Sequence, residues 1–234
     1  MPDNMIASRA QLEDAALRFG ILPFFANRIP GFSIEEMAAP GMLFGETRDD
    51  SGCWEWKGPV IQEKTTAYGK FFNRKAGFVS LELLSDFLNY RRNAYPLIPD
   101  SPEQIILDLI RSTGSMSSTE LKRAVFGVPV TKRKADELVE TMEYVQPKRH
   151  SLEAPLQRLQ MGGRLLIADF EYKLTARGER YGWGVARYST PEILFDRFFK
   201  NTDRTPRESF DFLVDYLSAR LPGVTRELIA DLIK

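Results

Sequence analysis

Three cations, Lys173, Arg177 and Arg180, fall within one short stretch, Lys173-Leu174-Thr175-Ala176-Arg177-Gly178-Glu179-Arg180. The stretch reads as a tight turn between two strand-like runs, 164–172 and 181–188. Cations on a protruding hairpin can neutralise phosphates or enter a minor groove. A basic tip can also simply discourage edge pairing between copies of the chain. Just upstream, Leu152, Leu156 and Leu159 fall at i, i+4 and i+7, one apolar stripe of a helix. Gln157, Arg158 and Gln160 lie off that stripe, and Lys148 and Arg149 precede it. Glutamine can pair bidentately with adenine and arginine with guanine, so this face could read bases. Any exposed helix face is polar, which is the competing reading.

Other chemistry is thinner. Glu55 stands between Trp54 and Trp56, and Asp169 stands beside Phe170. A carboxylate in apolar strand sequence can have a raised pKa and act as an acid or base. Each could equally occupy the outward face of its strand. Cys53 is the one cysteine and His150 the one histidine. Intramolecular disulfides and Cys/His zinc sites within one chain are excluded, and no cofactor is expected. A histidine-dependent nucleophile would have to use His150, which sits in the basic run Lys148-Arg149-His150. Aromatics and cations alternate through residues 54–92, a composition that stacks unpaired bases in some proteins and fills cores in more.

Net charge over the 234 residues is zero, but it is segregated. Residues 54–92 carry net +3 and residues 118–188 net +4, while the remaining segments are negative. Such segregation is what a phosphate-facing surface on an acidic body would look like. With 43% hydrophobic and 12% aromatic residues the chain can bury a substantial core. No run of eighteen apolar residues occurs, so a membrane span is not expected. Met1-Pro2-Asp3-Asn4 shows no secretory n-region, and the cytoplasm is the expected compartment.

The elements that must position these residues are mostly helices. Helices are predicted from Arg9 to Phe19, after Ser33, from Leu81 to Arg92, after Ser101-Pro102, after Ser117, over 132–145, from Leu152, after Thr190-Pro191, after Thr205-Pro206 and after Thr225. Strand-like alternation is read at Cys53-Trp54-Glu55-Trp56, Val60-Ile61-Gln62 and 68–72, with a turn at 73–77. Ile21 to Phe25 is a buried connector. The helix after Pro102 should turn Ile105, Ile106, Leu109 and Ile110 to the core. Together these predict a helix-rich α+β protein: an N-terminal subdomain with a small sheet over 1–98, a winged-helix module with an inserted helix over 99–190, and a helical extension over 191–234.

Several runs resemble bacterial AlkZ-related proteins: Trp54-Glu55-Trp56-Lys57, Ala67-Tyr68-Gly69-Lys70-Phe71-Phe72, Lys75-Ala76-Gly77-Phe78, Tyr90-Arg91-Arg92, Ala168-Asp169-Phe170-Glu171-Tyr172 and Gly182-Trp183-Gly184-Val185-Ala186-Arg187-Tyr188. More distantly that family is similar to the winged-helix DNA glycosylases, which excise damaged bases. The resemblance implies DNA as a partner and a role linked to repair. Those enzymes use a glutamine followed two positions on by glutamine or aspartate. Gln157 and Gln160 are three apart, and Gln11 and Gln62 lack the partner, so no catalytic residue carries over. The sequence therefore predicts a winged-helix DNA-binding protein. The alternatives are a glycosylase-like enzyme with altered catalytic groups and a protein-interaction module.

Overall fold

The computed structural model describes residues 5–45, 52–126, 152–178, 180–196 and 200–234. Of Arg180, Tyr181 and Trp183 it describes the backbone. The predicted inserted helix over 132–145, with Lys148, Arg149 and His150, lies outside the described residues.

Helix α1 spans Arg9–Phe19, capped by the Ser8 hydroxyl, and buries Leu12, Ala15, Ala16 and Phe19. Strand β1, Ile21–Pro23, follows at once, then the short α2, Ile34–Met37. Helix α3 covers Cys53–Gln62, β2 Thr66–Phe72, β3 Lys75–Ser80 and α4 Leu81–Ala94. The first sheet is antiparallel, in the order β1-β3-β2. Pro23 is tolerated because β1 is an edge strand. The β2–β3 hairpin closes through Asn73 and Arg74 alone, both at positive φ (46° and 67°), as a two-residue turn requires.

The second half starts with α5, Pro102–Thr113, whose Ser101 cap and first-turn proline match the sequence expectation. Strand β4, Met116–Ser117, and α6, Ser118–Phe126, come next. Ser117 and Glu120 close a reciprocal capping pair, the Ser117 N–H donating to Glu120 at 2.7 Å and the Glu120 N–H to the Ser117 hydroxyl at 3.3 Å. Helix α7, Glu153–Met161, leads into the hairpin β5, Leu166–Leu174, and β6, Arg180–Ser189. The second sheet is antiparallel, in the order β4-β6-β5. Helices α8, Pro191–Phe195, α9, Pro206–Ser218, and α10, Arg226–Ile233, complete the described chain.

The helix-rich α+β expectation holds. One continuous cluster of buried apolar residues runs from Ile6 to Ile233 and takes in both sheets. Helix α9 packs on α4, and α7 packs on both α5 and β2. Asp86 on α4 ties in the C-terminal helices. Its carboxylate accepts Ser209 at 2.7 Å and Thr202 at 3.0 Å and pairs with Arg204 at 2.9 Å.

Several local expectations are corrected. Residues 53–62 are a helix, not strands: Cys53, Lys57, Val60 and Ile61 form its buried face. Their spacing, i, i+4, i+7 and i+8, is helical, but a lysine in the middle of the stripe disguised it. Ile21–Pro23 is a strand rather than a connector. Ile105 is exposed, and Ile106, Leu107 and Ile110 make the inner face of α5.

Candidate nucleic-acid interface

The β5–β6 hairpin stands off the body at its tip. Successive strand residues point to opposite faces, yet Lys173 and Leu174 are both exposed, as are Ala176, Arg177 and Gly178. Water therefore reaches both faces there. Gly178, at φ 80°, lets the chain reverse. Among the described residues neither Lys173 nor Arg177 has an ion pair, so both charges stay available to an anion. Arg180 falls at the start of β6, with its side chain outside the description.

Arg187, the other hairpin cation, is not available. Its guanidinium pairs with Glu171 across the strands and with Glu120 at 3.0 Å, and donates to the Ser115 carbonyl and hydroxyl, each at 3.2 Å. It fastens the base of the hairpin to α6 and to Ser115, just before β4. Glu120 is correspondingly held below the usual carboxylate range, chiefly by the Ser117 N–H.

The helix face predicted to read bases is not a free face. Gln160 is 1% exposed. Its side-chain oxygen accepts the Lys70 N–H at 3.1 Å, and its amide donates to the Leu156 carbonyl at 3.1 Å. Arg158 is exposed but ion-paired with Glu103 of α5. Gln157 is half-buried. Helix α7 is wedged between α5 and β2, so Gln157, Arg158 and Gln160 do not form one free face.

The weak acid–base candidates also part company. Glu55 lies on α3, not on a strand, and accepts the Tyr172 hydroxyl at 2.8 Å. Asp169 is half-buried on β5 and accepts the N–H of Phe170 at 2.7 Å. Each carboxylate is engaged in holding local structure.

Sequence reasoning missed Lys57. It is 2% exposed, with its ammonium 3.8 Å from the Trp54 ring centroid and 4.5 Å from that of Phe170. It also donates to the Trp54 carbonyl. Burial lowers its pKa from 10.5 to about 8, partly countered by Glu55. Two aromatic faces favour the cation over the free base. Lys57 thus joins α3 to the root of the hairpin, and with the Glu55–Tyr172 bond it makes the hairpin's second anchor. The signal was present: a lysine four residues after Cys53 and three before Val60 sits on the apolar stripe.

Among the described residues no group of histidine, cysteine, aspartate and glutamate could hold a metal ion, and no helix is long and apolar enough to cross a membrane.

Fold and site together define a helix-rich α+β protein in which two small sheets share one core and a cation-tipped hairpin projects from the second. The chain belongs to the AlkZ-related family, whose model matches residues 6–234. It is similar in structure to the DNA glycosylase AlkZ of Streptomyces sahachiroi, with a TM-score of 0.45 and 10% identity over 93% of this chain and 57% of that one. The chain thus spans a little over half of that protein's length. No curated protein matches the sequence.

Proposed function

We propose that the protein binds DNA through the tip of its β5–β6 hairpin, with residues 99–190 forming a winged-helix module and the hairpin its wing. The observation that carries this reading is the pair of exposed cations, Lys173 and Arg177, held without carboxylate partners among the described residues on a hairpin whose base is clamped by Arg187. A rigid, solvated, cationic ribbon suits a phosphate backbone or a minor groove. The element order supports the module: helix, strand, helix, then a later helix and a hairpin, with the short strand β4 pairing with the second hairpin strand β6. Membership of the AlkZ-related family favours a place in DNA repair, since AlkZ itself is a DNA glycosylase.

The burial of Gln160 and the pairing of Arg158 remove the base-reading half of the interface. Binding then rests on the backbone and is indifferent to sequence. Titration of the protein with two duplexes of unrelated sequence, each at low and moderate salt, tests this. Equal affinities that fall together with salt are expected. Absence of binding at low salt, or a strong preference for one sequence, overturns the reading.

A further inference from the structure

A second cationic site lies where the C-terminal ends of α4 and α7 meet, away from any role given to the hairpin. The meeting depends on Gly162-Gly163. A Cβ on Gly162 would stand 3.2 Å from Tyr95 Cβ, and one on Gly163 would collide with Leu88. Gly163, just past the Gly162 C-cap of α7, stands at φ 62°, a backbone conformation that glycine adopts without strain. The close approach sets Arg164 against the end of α4. Its Nη2 lies 3.4 Å from the Arg92 carbonyl and 3.5 Å from that of Tyr95, both long for hydrogen bonds.

Charge around Arg164 is unbalanced. Arg92 pairs with Glu192 at 2.6 Å, Arg111 with Asp108 at 3.5 Å, and Arg158 with Glu103. Arg164, half-buried, makes no ion pair with a carboxylate among the described residues, and faces the like charges of Arg92 and Arg111, which the Glu192 carboxylate only partly offsets. The Nε of Arg92 is buried without a hydrogen-bond partner. A partly desolvated guanidinium with an unpaired charge is stabilised when an anion completes it.

A cavity of about 380 Å³ opens beside it. Arg164 supplies its unpaired cation, Arg158 lines it in its ion pair with Glu103, and Tyr95, Leu97, Ile98 and Leu159 supply an apolar wall. Ile98 is 68% exposed, a large side chain left facing water at the rim. A phosphate ion alone would leave most of this space empty; small organic ligands fill pockets of about 300–1,000 Å³.

We propose that this cavity binds the phosphate group of a nucleotide, with Arg164 as its principal ligand and the nucleoside lying against the apolar wall. The phosphate can belong to a free mononucleotide or to a nucleic-acid strand. The site does not depend on the hairpin reading.

Calorimetric titration of the full chain with adenosine monophosphate, adenosine and a short single-stranded oligodeoxyadenylate tests it. Adenosine monophosphate is expected to bind and adenosine is not. Arg164→Ala should weaken the nucleotide by about tenfold or more, as loss of charge-assisted bonds requires, and Arg164→Lys by less. A parallel loss for the oligonucleotide identifies a strand as the source of the phosphate, and a loss confined to the mononucleotide identifies the free compound. Lys173→Ala/Arg177→Ala should leave mononucleotide binding unchanged, so failure here and failure of the hairpin reading are separate results. On the unaltered protein, sulfate should displace the mononucleotide, a readout that needs no variant to fold. Equal binding of adenosine and its monophosphate, unchanged affinity in Arg164→Ala, indifference to sulfate, or no binding of either phosphate-bearing probe overturns the proposal.

Discussion

The side-chain oxygen of Gln160 on α7 accepts the backbone N–H of Lys70 on β2, at 3.1 Å. The register of β2 against β3 shifts between Gly69 and Phe72, so the ladder is interrupted where Lys70 lies. Gln160 reaches into that gap from the second half of the chain and replaces a strand partner. This bond, and the burial of the residue making it, turn α7 from a surface helix into a strut between the first sheet and α5.

Gln160→Leu keeps the volume and removes the acceptor. The part-buried Lys70 N–H then loses its partner, which costs about 1 kcal/mol. Urea unfolding of the variant should show that loss at an unchanged slope. A variant as stable as the wild type would mean that water or a shifted backbone replaces the glutamine.

Lys57 makes stability depend on pH in a defined direction. Its folded pKa, about 8, lies below its ordinary 10.5, so between those values the unfolded chain holds the proton and the folded chain does not. Stability contributed by this residue therefore rises with pH across that window and is flat below it. At roughly 1.4 kcal/mol per pKa unit the rise is at most about 3 kcal/mol. Contacts with the Trp54 and Phe170 rings reduce it by favouring the ammonium. Cys53, pushed by burial to about 11, acts in the opposite sense in the same range, since the unfolded thiol ionises first. The residue's own contribution is isolated by comparison with Lys57→Met. The stability difference should move in favour of the wild type from pH 8 to pH 10.5. A pH-independent difference would contradict the burial assigned to this amine.

Asp86 is 5% exposed and receives two hydroxyls and one guanidinium. Asp86→Ala takes the acceptor from the fully buried Ser209 O–H, whose oxygen keeps only the Asn89 amide, leaves Arg204 unpaired, and should cost about 2–4 kcal/mol. Asp86→Asn retains an acceptor for the hydroxyls. Arg204 is about half exposed, so loss of its ion pair alone should cost about 1 kcal/mol or less. Equal losses in the two variants, measured by thermal unfolding, would show that the charge rather than the hydroxyl network holds α9 on α4.

The helices with explicit punctuation were legible in the sequence. Ser101-Pro102, Thr190-Pro191 and Thr205-Pro206 all open helices where read, and Thr225 caps the last one. The hairpin was legible too, because its two runs alternate and its turn is polar with a glycine. Two of the failures share one physical cause: a polar side chain at a buried helical position. Lys57 interrupts the stripe of α3, and the alternation of Trp54 with Trp56 then imitates a strand. Gln160 completes the stripe of Leu152, Leu156 and Leu159 at i+8, but residue type suggested solvent. Both are buried because distant groups satisfy them, the Phe170 ring in one case and the Lys70 N–H in the other. Such long-range satisfaction leaves no local trace. The same holds for the ion pairs that occupy Arg158 and Arg187.

The hairpin account is tested most directly by the salt dependence of duplex binding in Lys173→Ala/Arg177→Ala. Fluorescence anisotropy with a labelled duplex, between about 50 and about 200 mM salt, gives the slope of log affinity against log salt. Each phosphate contact contributes about 0.9 to that slope, so losing two should flatten it by roughly 1.8 while affinity at low salt falls. An unchanged slope and affinity in a variant that folds as the wild type does would contradict the account.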